Sequence, residues 1–278
     1  MQKFPRVVDL NVNGTCNLNC FFCYGPAKDA LELGTDQIKE SIDKLHAGGV
    51  EFVSITGGEP TLREDLLDLV SHINAVGMQC ALHTNGHFLR SNDPLLEHLN
   101  WLALPLDGAN QESHHRMRGD RVGFDRVTKF LNWYRHSKFR PQLKVKIGTV
   151  ATRKNIDQLP AIANVLAGTG ISVWKIHEFR ARGMGSVSHP KVHIQSREIE
   201  SVVETIKSSS PGFKISYSAA EKSDGAYMFI YPNGEVRVPT VDGYKIYGNL
   251  LDPGFSFEFG SEMSARNFNN NLDLAYGI

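Results

Sequence analysis

The chain predicts an α/β fold, six strand–helix units around a parallel sheet followed by a small α+β extension. Three observations predict it. Short β-branched and aliphatic runs alternate with stretches whose apolar residues recur three or four apart, those runs are polar on one face only, and 278 residues suit one large α/β domain with an appendage. The strand runs are residues 7–12, 51–56, 79–84, 101–106, 144–150 and 171–178. Between them, Leu66, Leu69, Val70, Ile73 and Val76 trace one helix face, and Ile156, Leu159, Ile162 and Leu166 another. Start signals accompany these helices. Thr61 with Glu64 has capping-box spacing, Asp93 before Pro94 reads as an N-cap with a first-turn proline, and Asn155 with Gln158 repeats the cap pattern. Past residue 185 the rhythm changes. A polar segment at 183–193 leads to one helix near 196–206 and a hairpin of 227–231 with 235–238 turning on Pro232-Asn233-Gly234. The last forty residues read as loops and a short terminal helix, so the expected division is a core at 1–185 and an extension at 186–278.

Alternation within the strands indicates what the sheet encloses. Val8, Leu10 and Val12 alternate with Asp9, Asn11 and Asn13; Val53 and Ile55 with Ser54 and Thr56; Val145 and Ile147 with Lys144, Lys146 and Gly148; Trp174 and Ile176 with Lys175 and His177. Side chains alternate across a strand, so the apolar set packs on helices and leaves a lumen lined by Asp9, Asn11, Asn13, Ser54, Thr56, His83, Asp107, Lys146, Lys175 and His177. Such a lumen suits a polar ligand.

Lys plus Arg and Asp plus Glu balance at 30 each, which gives no bulk electrostatic case for a nucleic-acid duplex or a membrane surface. Apolar residues at 41% and charged at 22% exclude fibrous and wholly disordered classes. No stretch approaches 18 apolar residues, and Met1-Gln-Lys-Phe-Pro5 runs into a strand without a signal-peptide core, so a cytoplasmic protein is expected.

Four cysteines are too few for a disulfide scaffold, and three of them crowd into Gly14-Thr-Cys16-Asn-Leu-Asn-Cys20-Phe-Phe-Cys23-Tyr24, directly after the first strand. Three thiolates do not close a structural zinc site, which takes four protein ligands; a four-iron cubane held by three thiolates keeps one iron open. Cys80, alone in mid-strand, reads as a small buried apolar residue. The loop resembles the signature of the radical S-adenosylmethionine superfamily, Cys-x3-Cys-x2-Cys followed by an aromatic. The resemblance covers about residues 6–185. It implies a partial (β/α)6 barrel of the radical SAM type, a [4Fe-4S] cluster on Cys16, Cys20 and Cys23 next to Tyr24, and S-adenosylmethionine as ligand of the fourth iron. It also implies an enzyme whose reduced cluster cleaves S-adenosylmethionine to methionine and a 5′-deoxyadenosyl radical that abstracts hydrogen from substrate, supplied by an electron donor such as flavodoxin or ferredoxin.

Further segments carry the same resemblance. Thr56-Gly57-Gly58-Glu59-Pro60 is similar to the family's GGEP segment, where the glycines admit the ligand backbone and the glutamate faces its ammonium. Thr84-Asn85-Gly86 resembles its TNG segment and Leu106-Asp107-Gly108 its DG segment, which implies Thr84, Asn85 and Asp107 as cofactor contacts; Arg118, in the segment after the fourth strand, is implied to meet the cofactor carboxylate. All stand at the C-terminal strand ends, where barrel enzymes place their chemistry. The absence of cysteines after Cys80 excludes an auxiliary cluster and, on this reading, close kinship with the molybdenum-cofactor first-step enzyme and with most sulfatase-maturing or peptide-crosslinking members.

Lys146, Lys175, His177, Arg180 and Arg182, with Lys144, cluster on the fifth and sixth strands and the loop beyond, which points to an anionic substrate such as a nucleotide or phosphorylated metabolite. Val173-Trp174-Lys175-Ile176 and Asp224-Gly-Ala-Tyr227 are loosely similar to viperin-type nucleotide dehydratases. Lys146, Lys175, His177 and Tyr227 are therefore the candidate catalytic residues. The hairpin with Tyr247-Gly248-Asn249 resembles the cysteine-bearing C-terminal modules of other members without their cysteines, and implies a covering flap. Two alternatives stay open: modification of a peptide or partner protein, and a non-enzymatic zinc or iron–sulfur binding protein.

Overall fold

A computed structural model describes residues 4–26, 31–182, 185–209, 212–220, 225–240, 243–257 and 276. The six strands fall where the alternation places them: β1 Val7–Asn11, β2 Phe52–Thr56, β3 Gln79–His83, β4 Trp101–Pro105, β5 Lys144–Ala151 and β6 Val173–Glu178. They lie parallel in sequence order. The crossovers carry α1 Thr35–Ala47, α2 Leu66–Ala75, α3 Gln111–Arg118, α4 Gly123–Tyr134 and α5 Leu159–Leu166, while β3 and β4 are joined by a single 3₁₀ turn, Pro94–His98. After β6 come α6 Gly185–Val192, α7 Ser196–Ser208 and a seventh parallel strand, β7 Lys214–Ser218, which sequence patterning does not separate from loop.

The hairpin is present as β8 Phe229–Ile230 and β9 Glu235–Thr240, with β10 Gly243–Asn249 added beyond it. β8 pairs parallel with β1 at Asp9↔Phe229 and Leu10↔Ile230, so the hairpin joins the same ten-stranded sheet, ordered β10-β9-β8-β1-β2-β3-β4-β5-β6-β7, while Pro239 and Tyr244 line the cavity. The edge strands of that sheet are β10 and β7. Apart from Tyr276, the terminal segment read as a helix lies outside the described residues, as does Asp224.

The outward strand faces make the core. Val8, Leu10, Val53, Ile55, Val145, Ile147, Trp174 and Ile176 are buried against helices that offer Ile42, Leu45, Leu69 and Ile73, each large aliphatic contributing about 2 kcal/mol by leaving water. Two expected caps are replaced. Glu59, not a Thr61–Glu64 box, accepts from the Thr61 amide at the turn Pro60–Leu62, and α2 starts later at Leu66. Asn155 does not cap Gln158; its side chain instead joins Thr152, Val150 and Asp107. The Asp93–Pro94 start forms as expected, with Asp93 accepting from Leu95.

Register stacks the inward side chains in layers. Val7, Phe52, Ala81, Trp101 and Val173 make an apolar floor with Tyr276 at the N-terminal strand ends. One step up, Asp9 stands beside Ser54, and Ala103 beside Lys146; Gly148 is paired with Lys175 and Val150 with His177.

Candidate active site

One cavity of about 320 Å³ runs from the cysteine loop down the lumen to Tyr276. Its upper wall carries Cys16, Cys20, Cys23, Tyr24, Gly57, Gly58, Glu59, Thr84, Asn85 and Arg118, and its lower wall Asp9, Asn11, Ser54, His83, Lys146, Lys175, His177 and Tyr227. Of the lumen expected from alternation, Asn13 and Asp107 lie behind the wall: both are buried and engaged by protein partners. Lys144 is also outside, exposed at the start of β5 over the Trp101 ring, whereas Arg180 and Arg182 do reach the cavity mouth.

The cysteine loop is held by backbone. Gly58 N donates to Asn13 O at 2.8 Å and Glu59 N to Thr15 O at 2.8 Å. A Cβ on Gly58 would stand 2.2 Å from Thr15 O, and one on Gly57, at φ +147°, 2.5 Å from Asn13 O. The two glycines admit the backbone of the cysteine loop while they line the cavity, and any side chain there drives two segments apart. Glu32, which no sequence signal marked, accepts from Gly14 N, Thr15 N and Thr15 Oγ1. Asn85 Nδ2 donates to Asn17 at 2.8 Å, and Gly185 N to Cys23 O at 3.3 Å.

N–H groups and a guanidinium lie against the sulfurs. Leu18 N points at Cys16 Sγ and Gly25 N at Cys23 Sγ, each at 3.4 Å, and Arg118 Nη1 lies 3.9 Å from Cys20 Sγ. Burial pushes the Cys20 thiol up to about 11, with Arg118 opposing. Among the described residues no three His, Cys, Asp or Glu side chains are gathered as ligands for a single metal ion. A cubane takes each thiolate on a different iron, so three cysteines ringing one end of a cavity, with N–H donors aimed at their sulfurs, fit an iron–sulfur cluster.

Behind the loop, carboxylates act as braces. Glu59, 1% exposed, accepts from Thr61 N, Thr61 Oγ1, Thr84 Oγ1 at 2.6 Å and Asn85 N at 2.7 Å, which ties the ends of β2 and β3 together. Pro60 sits buried in the first turn beyond it. Asp107 accepts from Arg118 Nε at 2.5 Å and from Val150 N at 2.7 Å, and so aims Arg118 at the cysteine loop, with its guanidinium over the Phe22 ring. Fully buried, Asp107 does not reach the cavity as a cofactor contact; it reaches the site through Arg118.

The lower chamber is built from side-chain charge. Lys146 and Lys175 are 3% and 1% exposed with Asp9 beside them. Burial and Lys175 push the Lys146 ammonium down to about 7, while Asp9 favours its charged form; burial raises the Asp9 carboxyl to about 6 against the pull of Lys146. Burial and the two lysines hold His83 and His177 well below the ordinary histidine range, so both stay neutral. Lys175 Nζ donates to Tyr227 OH at 3.1 Å, which links β6 to the segment before β8.

A sequence model of the Radical SAM superfamily matches residues 10–166. Mycofactocin maturase MftC of Mycolicibacterium smegmatis is 34% identical over 67% of this chain and 49% of its own length, and a probable GTP 3′,8-cyclase of Sulfurisphaera tokodaii 29% identical over 73% and 66%. The chain spans about half the length of several curated relatives it matches. Among solved structures, Streptococcus suis SuiB bound to precursor peptide SuiA aligns with 84% of this chain and 59% of its own at a TM-score of 0.68 and 17% identity, a likeness of fold. The distance expected from peptide-handling members thus does not extend to the fold.

Proposed function

Since the chain belongs to the radical SAM superfamily, whose enzymes use S-adenosylmethionine and an iron–sulfur cluster, we propose that it holds a [4Fe-4S] cluster on Cys16, Cys20 and Cys23 and acts on a small anionic substrate, a nucleotide or phosphorylated metabolite. One observation carries this reading. In the same cavity as the three cysteines, Lys146 and Lys175 are buried beside Asp9, with Arg180 and Arg182 at the mouth, so basic side chains outnumber acidic ones where a substrate anion would enter. The name of the GTP 3′,8-cyclase relative supports a nucleotide.

When bound, the cluster and S-adenosylmethionine supply reductive cleavage and a hydrogen-abstracting radical. The chain's own residues position and insulate. Arg118 and the amides of Leu18 and Gly25 offset negative charge at sulfur. The wall of Tyr24, Gly57, Gly58, Thr84 and Asn85 meets S-adenosylmethionine, with Glu59 fixing its shape. Lys146 and Lys175 draw the anion below it, and Tyr227, hydrogen-bonded to Lys175, or neutral His177 holds a proton at the reacting end. Residues 1–185 form the core in this reading and 186–278 its extension. Thiol ligands and a reductant such as flavodoxin or ferredoxin suit the cytoplasm; no helix among the described residues is long and apolar enough to cross a membrane.

Anaerobic reconstitution with iron and sulfide, followed by S-adenosylmethionine and dithionite, tests this by mass spectrometry of 5′-deoxyadenosine across nucleoside triphosphates, sugar phosphates and the matching nucleosides. Stimulation by a phosphorylated compound and not by its nucleoside is expected. Equal stimulation by both removes the anionic substrate, and no 5′-deoxyadenosine from a loaded cluster with any candidate removes the catalytic reading.

A further inference from the structure

Tyr276 is fully buried, yet it lines the cavity. Its ring packs on Phe52 and Trp101 with centroids 4.7 and 5.1 Å apart, so the apolar floor sets its plane. Its hydroxyl lies 2.5 Å from Ser54 Oγ and 3.2 Å from His83 Nε2, which sets its tilt. Held this way, the ring turns a face to Lys146, whose Nζ stands 4.4 Å from the centroid. A cation over an aromatic face at that range is attracted, most strongly where water is excluded.

The other groups facing Lys146 come from three strands. Asp9 on β1 favours the ammonium, Lys175 on β6 opposes it, and His83 on β3 and His177 on β6 stay neutral beside it. We propose that Tyr276 is a positioning residue for the substrate anion: its ring keeps the Lys146 head charged and directed into the chamber. The inference rests on the anion-site reading of that chamber. It differs from a packing role in its pH signature, because losing the ring face weakens proton binding at Lys146 and the resulting loss of anion affinity grows as pH rises.

The test uses the full chain labelled with ¹³C-lysine, the Lys146 Cε resonance being assigned through Lys146→Arg and titrated in the wild type, Tyr276→Phe and Tyr276→Leu. Tyr276→Phe keeps the wild-type midpoint, whereas Tyr276→Leu lowers it by about half a unit or more. An unchanged midpoint in Tyr276→Leu overturns the proposal. If that variant fails to fold, pentafluorophenylalanine at 276, similar in shape but with a reversed ring quadrupole, lowers the midpoint in the same direction, and an unmoved midpoint overturns the proposal equally. Sulfate, whose charge is constant from pH 6 to 8, provides the second arm. The ratio of wild-type to Tyr276→Leu affinity rises about threefold across that range; a constant ratio means packing alone. A shifted Lys146 midpoint with no sulfate binding to the wild type overturns the anion-site reading and leaves the hold of the ring on Lys146 standing.

Discussion

At the cysteine end of the cavity, Glu32, Glu59 and Asp107 are each met by protein donors, whereas in the lower chamber Lys146 and Lys175 are buried beside each other and Asp9. The first arrangement is a network of hydrogen bonds within the protein; the second sets like charges side by side. A satisfied polar network rigidifies its segment, while buried charges pushed toward neutrality respond to whatever enters. On the proposed reading the upper chamber is shaped for an unvarying cofactor and the lower one for recognition.

Five outcomes break or sharpen that contrast. Cys23→Ala has the largest effect: cluster absorbance is lost and 5′-deoxyadenosine falls to background, and a loaded spectrum in this variant would remove Cys23 from the ligand set. Asp107→Asn leaves Arg118 facing no anion in a buried site, with a cost of about 3 to 5 kcal/mol in urea unfolding. Glu59→Gln keeps the shape of the brace and costs about 2 kcal/mol, and a neutral result for either would show that the upper chamber is not built on these networks.

The floor is expected to respond to pH instead. An anion favours the charged Lys146, whose ammonium is lowered to about 7, so anion affinity falls as pH rises through 7, by up to tenfold per unit, and binding takes up a proton above it. Below about 6, Asp9 gains its proton and affinity rises again. Calorimetry in buffers of different ionisation enthalpy measures the uptake, and a flat profile from pH 6 to 9 would mean that Lys146 does not meet the anion. The smallest change is Tyr227→Phe, which removes the bond between Lys175 on β6 and the segment before β8 for about 1 kcal/mol in the same unfolding assay. A loss several times larger would make that bond a structural brace between the two.

The strands were legible because period-two alternation in β1, β2, β5 and β6 records which face meets helices, and because β3 and β4 are short aliphatic runs between helical stretches. The cysteines and strand-end motifs were legible because they are local. The roles of Glu59 and Asp107 were not: their partners Thr84, Asn85, Arg118 and Val150 stand 11 to 43 positions away, and only the fold brings them together. β7 has only Ile215 and Tyr217 as apolar residues among Lys214, Ser216 and Ser218, a composition close to that of a loop, and Tyr276 sits in an Asn-rich stretch where no periodicity marks it.

The dovetail at Gly57 and Gly58 also governs when the cysteine loop takes shape. During synthesis the three thiols emerge first, yet the contacts that seat them come from residue 58, then from Asn85, Arg118 and finally Gly185. At ribosomal rates of about 5 to 20 residues per second, Cys23 waits on the order of ten seconds or longer before its last partner exists. On the proposed cluster reading, iron–sulfur insertion is a late, post-assembly event, and until then the nascent thiols depend on a reducing surround and not on their own fold for protection.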